Sequence, residues 1–238
     1  MAQPLQEAVF EANLRVVASG LVRLTWGNVS GFDPQRGVMY IKPSGVDYAH
    51  LKIDDLVGVR LSDGAVVEGR LRPSSDTPTH LALYRAWADR GIHGICHTHS
   101  PKATAFAQAG RELACLGTTH ADHFFGPVPV CRALTPEEVA DDYEGLTGAA
   151  IVSHFRDHAI DAVAMPAVLQ AGHAPFTWGS SPRQAVDNAI ALEMCAAMAL
   201  DTRALDPHAP PLPRHLLEKH FLRKHGPGAY YGQGVKPA

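Results

Sequence analysis

Gly91-Ile92-His93-Gly94-Ile95-Cys96-His97-Thr98-His99 is the stretch on which the reading of this chain turns. It reads as an apolar strand closed by two histidines. In a strand, side chains at i and i+2 point to the same face, so His97 and His99 stand side by side and can share one metal ion. A third histidine, His173, ends the short apolar run Val168-Leu169-Gln170-Ala171-Gly172. Three nitrogen ligands with an open position describe a catalytic zinc site, which makes a metal-dependent enzyme the leading class.

The punctuation around that strand builds a layered α/β domain. Over residues 5–19, Leu5, Val9, Leu14 and Val17 approximate an apolar helical stripe opposite Glu7, Glu11 and Arg15, and Gly20 suits a left-handed stop. Residues 21–25, 38–42 and 57–61 are β-prone, and Ser62-Asp63-Gly64 before Ala65-Val66-Val67 carries the Asp-Gly signal of a hairpin. Thr77-Pro78, Ser100-Pro101, Thr135-Pro136 and Ser181-Pro182 each open a helix with a capping hydroxyl and a proline at the first helical position. Glu138 completes a capping box with Thr135, while Gly91 and Gly110 stop the helices opened by Pro78 and Pro101. The proline-rich residues 206–213 read as a rigid connector to a last helix near 214–224. The tail beyond it, Ala229-Tyr230-Tyr231-Gly232-Gln233, is too short to fold alone and needs a surface to dock on.

At 238 residues, with 46% hydrophobic and 19% charged, the chain suits one soluble domain with a sizeable core. A net charge of -3 lacks the basic stripe that phosphate neutralisation requires, so no nucleic-acid partner is expected. The richest apolar segment, residues 185–200, is interrupted by Asp187, Asn188 and Glu193 and falls short of the roughly 18 apolar residues of a membrane helix. The N-terminus lacks the features of a signal peptide, and the widely spaced Cys96, Cys115, Cys131 and Cys195 suit reduced, mostly buried thiols in a cytoplasmic protein.

Other candidate residues admit two readings each. Asp76, in Pro73-Ser74-Ser75-Asp76-Thr77-Pro78, reads first as an N-cap anion, and otherwise as a metal ligand, a partner of one, or an acid/base. Gly27-Asn28, Lys42-Pro43-Ser44-Gly45 and Ser74-Ser75 offer hydroxyl or backbone N–H donors to an oxyanion such as phosphate, and each alone also makes an ordinary turn. Asp122, among Thr118-Thr119-His120-Ala121-Asp122-His123, is either a proton shuttle near a metal-bound substrate or a solvated loop carboxylate. His220 and Tyr231 are proton-transfer candidates by type alone, and Trp26, Trp87 and Trp178 read as core.

Six motifs, taken in order, resemble the class II aldolase/epimerase family, which includes the adducin head domain, over nearly the whole chain. They are Leu24-Thr25-Trp26-Gly27-Asn28-Val29-Ser30, Ile41-Lys42-Pro43-Ser44-Gly45-Val46-Asp47-Tyr48, Pro73-Ser74-Ser75-Asp76-Thr77-Pro78-Thr79-His80, His97-Thr98-His99-Ser100, Gly117-Thr118-Thr119-His120-Ala121-Asp122, and Lys219-His220 through Tyr230-Tyr231-Gly232-Gln233. The likeness is strongest to the sugar-phosphate 4-epimerases of that family. It implies an α/β fold: one three-layer domain over residues 1–238, with a central, largely antiparallel sheet flanked by helices. It further implies a homotetramer with active sites between subunits, the helix and tail of residues 214–238 reaching a neighbour's site.

By the same resemblance, His97, His99 and His173 hold Zn2+, with Mn2+ or Co2+ also suited to such a site, and Asp76 stands at the metal. Gly27, Asn28, Ser44, Gly45, Ser74 and Ser75, with Lys42 nearby, contact substrate and phosphate. Asp122 and a neighbour's Tyr231 are the two proton-transfer groups, and His220 supports them. The implied reaction interconverts L-ribulose 5-phosphate and D-xylulose 5-phosphate by retro-aldol cleavage of C3–C4 and re-addition. Two alternatives stand beside it. One is an L-fuculose-1-phosphate-type aldolase, which carries glutamate where this chain has Asp76. The other is a non-catalytic adducin-like scaffold, which does not need the metal residues.

Overall fold

Short β-prone runs separated by tight turns cannot bury both faces alone, and here they merge into one sheet. In the computed structural model, which describes residues 4–230, the strands are β1 (Gly27–Asp33), β2 (Val38–Ile41), β3 (Val57–Arg60), β4 (Val66–Glu68), β5 (Gly94–Thr98), β6 (Val130–Cys131), β7 (Ala167–Gln170) and β8 (Pro175–Gly179). Their order is β4-β3-β2-β1-β5-β8-β7-β6. Every neighbouring pair is antiparallel except β6 with β7, in agreement with the expected largely antiparallel sheet.

Register decides which residues reach the site. Asn28 pairs with His97 and Ser30 with Ile95, and directly opposed side chains share a face. The intervening Val29 and Cys96 therefore face the other way. They pack with Ala12 and Val16 of α1 (Leu5–Ala18) and with Ala185 and Val186 of α6 (Pro182–Leu205). A Cβ at Gly31 would lie 2.8 Å from side-chain atoms of Leu5 and Pro182, so glycine there lets both helices approach the sheet. Asn13 clamps α1 down, its Nδ2 donating to the Val9 and Val29 carbonyls and its Oδ1 accepting from Val29 N–H.

The opposite face lies under α2 (Thr77–Trp87) and α5 (Pro136–Asp157). Trp87, Phe155 and Trp178 meet there with ring centroids 4.8–5.3 Å apart. Burying an aromatic of this size contributes on the order of 1.5–3 kcal/mol. The remaining helices are α3 (Pro101–Gln108), α4 (Thr118–Ala121) and α7 (Arg214–His225).

Most start and stop signals act as read. Gly20 and Gly91 take φ of 78° and 82° after their helices, and Thr135 with Glu138 forms the capping box of α5. Ser181 accepts from Gln184 N–H at the start of α6. Ser100 stands at the N-cap of α3 without a capping bond, because the Glu193 carboxylate of α6 takes the Lys102 and Ala103 amides instead. The expected β-run at 21–25 is corrected: both edges of β1 are taken by β2 and β5, and the chain turns with Leu24 at φ 52° and Trp26 N–H donating to Arg23 O. All four cysteines are free and buried. Among the described residues no helix is long and apolar enough to cross a membrane.

Candidate metal-dependent active site

Strand β5 ends by presenting His97, with His99 one residue beyond the strand, and the turn between β7 and β8 brings His173 across to them. One ligand atom of each imidazole lies within 4.8 Å of the others, and the ring centroids are 4.9–5.0 Å apart. His97 Nδ1–H donates to the Pro175 carbonyl at 2.9 Å, and the ring stacks on Phe176 with centroids 4.2 Å apart. That bond fixes the tautomer and leaves the Nε2 lone pair for the cluster.

Burial drives His97 down to about 3 and His173 to about 4, with the neighbouring imidazoles adding to the effect, so both are neutral bases at pH 7. His173 Nδ1 is buried with no partner, an arrangement that costs stability until something fills it. Neutral imidazoles, a fixed tautomer and an orphaned nitrogen are the donor set a divalent ion of the zinc type takes.

The three histidines share one cavity of about 330 Å³ with Gly27, Asn28, Lys42, Ser44, Gly45, Ser74, Ser75 and Asp76. Two loops are tied together to form its far wall: Ser44 N–H donates to Arg72 O, Ser74 N–H to Lys42 O, and Pro43 bridges Pro73. Gly27 lies against β5 so closely that a Cβ would fall 2.8 Å from His97 O. Lys42 is only 2% exposed. Its Nζ donates to Pro43 O and sits 4.7 Å from the Tyr48 ring centre. Burial lowers the Lys42 pKa, and Asp47 offsets part of that shift. A buried ammonium with one carbonyl acceptor favours an anion beside it.

Asp76 corrects the N-cap reading. It occupies the N-cap position of α2 without a capping bond. Its Oδ2 instead accepts from Asn28 Nδ2 at 2.5 Å, and the same amide donates to Ser74 Oγ at 3.1 Å. The carboxylate is thereby turned into the cavity, across the sheet pair from His97.

Sequence reasoning missed Thr25, Trp26, Tyr143 and Glu144, which also line the cavity. Trp26 is 56% exposed, so its assignment to the core is wrong, whereas Trp87 and Trp178 are core. Asp142-Tyr143-Glu144-Gly145 carried a usable signal, an Asp three residues before a Gly inside a helical run, of the kind that caps a helix start.

Asp122 and His220 are together but elsewhere. Asp122 ends α4, and its carboxylate, 13% exposed, accepts from His220 Nδ1, Arg223 Nε and Arg223 Nη2, with Lys224 Nζ at 3.6 Å. Neither residue lines the cavity of its own chain. Tyr231 lies outside the described residues. A larger depression of about 1150 Å³, near Phe106, Leu116, Phe125, Ile160 and Met165, gathers no metal-binding cluster among the described residues.

With this geometry in hand, comparison with known proteins is specific. The family described as class II aldolase and adducin N-terminal domain matches residues 7–200. The chain is 50% identical over 231 residues to L-ribulose-5-phosphate 4-epimerase UlaF of Salmonella paratyphi B, covering 97% of this chain and 99% of the relative. Among solved structures, an L-fuculose 1-phosphate aldolase superposes with a TM-score of 0.76 at 26% identity, covering 92% of this chain and 96% of its own. An L-fuculose-1-phosphate aldolase from Thermus thermophilus gives 0.64 at 26% identity, over 87% and 98%. The chain belongs to the class II aldolase and adducin N-terminal domain family.

Proposed function

We propose that this chain is an L-ribulose-5-phosphate 4-epimerase, interconverting L-ribulose 5-phosphate and D-xylulose 5-phosphate. The observation that carries the reading is the convergence of three neutral imidazoles, Asp76 and the buried Lys42 in one cavity. The 4-epimerase name of a relative 50% identical over 97% of the chain narrows the substrate to this pair.

His97, His99 and His173, with Asp76 beside them, would hold a divalent ion, for which Zn2+ is our assignment and Mn2+ or Co2+ are chemically suited. Bound there, the ion supplies a Lewis acid for the ketose oxygens. The rest falls to side chains. Lys42, Asn28, Ser44, Ser74 and Ser75, with the close-lying backbone at Gly27 and Gly45, bind the phosphate and orient the sugar. A base removes the proton of the C4 hydroxyl as C3–C4 breaks, the bonding pair passing into an enediolate and leaving glycolaldehyde phosphate. That fragment stays held by its phosphate, its aldehyde rotates, and the enediolate re-adds to the other face while an acid returns a proton to the C4 oxygen.

Inversion needs one proton-transfer group on each side of C4, and we assign these to Asp122 and Tyr231, with His220 supporting Asp122. Asp122 stands off its own cavity, so the assignment includes a homotetramer in which residues 214–238 and Asp122 serve a neighbour's site. Asp76 favours epimerase over aldolase: it is one methylene shorter than the glutamate of the aldolase pattern and is already engaged by Asn28. The intact imidazole cluster argues against an adducin-like scaffold. Four buried thiols suit a reducing compartment, and we assign the enzyme to the cytoplasm.

The test is a coupled assay of zinc-loaded protein on L-ribulose 5-phosphate. D-xylulose 5-phosphate without appreciable release of glycolaldehyde phosphate is expected. Release of that fragment as the main product identifies an aldolase, and neither product from metal-loaded protein overturns the reading.

A further inference from the structure

Tyr143 enters the cavity from a helix that breaks to admit it. Within α5, Asp142 leaves helical geometry at φ -144°, ψ 78°. Its Oδ1 accepts from Gly145 N–H at 3.2 Å, the bonding of an N-cap, so the helix restarts with Tyr143 and Glu144 in its first turn. A Cβ at position 145 would fall 1.9 Å from Asp142 Oδ2, and glycine keeps that cap possible.

The restarted helix is registered against α2, which begins beside Asp76. Thr79 Oγ1 donates to Glu144 O at 2.6 Å. Gly148 lets the helices close to where a Cβ would be 2.6 Å from Ala82 and 3.1 Å from the Thr79 backbone. Tyr143 is thus held at the imidazole end of the cavity, its ring centre 5.9 Å from that of His173. Among the described residues its hydroxyl has no hydrogen-bond partner. Asp76 and Glu144, lining the same cavity, are acceptors when ionised, and the Tyr143 phenol O–H adds a donor to the wall they share.

Resting on the function proposed above, we propose that Tyr143 is a catalytic residue, its hydroxyl donating a hydrogen bond to the ketose oxygen on which negative charge builds as C3–C4 breaks. A donor aimed at developing charge binds the transition state more tightly than the ground state.

The experiment compares wild type with Tyr143→Phe, which removes one oxygen and keeps the ring, in turnover and in binding of two probes. Glycolohydroxamate is a planar mimic of the enediolate, and inorganic phosphate probes the far wall. Expected are a kcat about 10–100-fold lower and glycolohydroxamate binding about 10-fold or more weaker, with metal content unchanged and phosphate affinity within about 2-fold. Unchanged kcat and hydroxamate affinity in the variant overturn the role. Parallel loss of metal or phosphate binding overturns it too, because that marks a structural residue. A metal-loaded wild type without epimerase activity overturns the proposed function and this role together, whereas an active wild type with an indifferent variant overturns this role alone.

Discussion

His220 Nδ1 lies 3.1 Å from Asp122 Oδ1, and Arg223 closes the same carboxylate with Nε at 3.1 Å and Nη2 at 2.8 Å. Helix α7 is thereby fastened to the end of α4, with Phe221 against Phe125 at 5.0 Å as the apolar part of the joint. Burial works against the charged carboxylate, but the bonds from Arg223 and His220 and the charges of Lys224 and Arg223 outweigh it and hold the Asp122 pKa below its ordinary value. A depressed folded pKa gives stability that is present above the unfolded value, near 3.9, and is lost as pH falls through the folded value. Asp122→Asn should therefore destabilise the protein by about 1–3 kcal/mol at pH 7. The gap to wild type should shrink as the pH drops below about 4. Thermal melts across pH check this, and a constant gap at every pH contradicts it.

Lys42 offers the opposite balance between stability and binding. Its ammonium is buried with a carbonyl and a tyrosine face for company, and replacing a buried charge by an apolar chain of similar length is often neutral or stabilising. Lys42→Met should leave the melting temperature unchanged or higher. It should also weaken inorganic phosphate and raise KM by about 10–100-fold through the lost charge-assisted bond. Equal phosphate affinity in both proteins would remove Lys42 from the anion wall.

His97 is the most constrained of the three imidazoles, held by Pro175 O on one side and stacked on Phe176. His97→Asn keeps a polar side chain and removes the Nε2 donor. Bound metal and turnover should fall together, to below about a tenth of wild type, since even partners behind the ligands change affinity 10–100-fold. Metal analysis after dialysis, set beside the assay, decides. Full turnover from metal-free His97→Asn would detach the reaction from the cluster.

What could be read in advance followed local physics. Thr135 with Glu138, Gly20, Gly91 and the Asp63-Gly64 turn act within a few residues of themselves, so their outcomes match the reading. The His97, His99 pair was legible because the two residues stand two apart where β5 ends, so strand alternation points to a shared face even though His99 lies just past the strand. Residues 21–25 misled because a strand needs an unpaired neighbour, and β1 has none to offer on either edge. Asp76 misled because an N-cap position does not bind its carboxylate to the cap: Asn28, 48 residues earlier, takes it instead. Tyr143 had only the weak local signal of Asp142 before Gly145, and its placement depends on distant partners in the same way. The break at Asp142 carries no proline, and the lock on the restarted helix comes from Thr79, 65 residues away. Long-range partners of this kind are fixed by packing of α2 on α5, which pattern reading does not resolve.

The distance of Asp122 from its own cavity makes the shared-site proposal testable by mixing. Asp122→Asn and Tyr231→Phe each remove one of the two proton-transfer groups assigned to C4. If both groups of a site come from one neighbour, every such site in a mixed tetramer still lacks one of them, and mixing restores nothing. If one comes from the neighbour and the other from the chain that holds the metal, some sites carry an intact pair. Helix α7 and Asp122 are bonded within one chain, which favours the first arrangement. There, rescue requires a third variant, His97→Asn, whose sites are dead but whose Asp122 and Tyr231 are intact. Denaturing and refolding His97→Asn with Tyr231→Phe should thus recover a measurable fraction of wild-type turnover, while Asp122→Asn with Tyr231→Phe should recover none. Absence of rescue in both mixtures, with mixed oligomers verified by mass, would place both groups in the same chain as the metal cluster and end the shared-site reading.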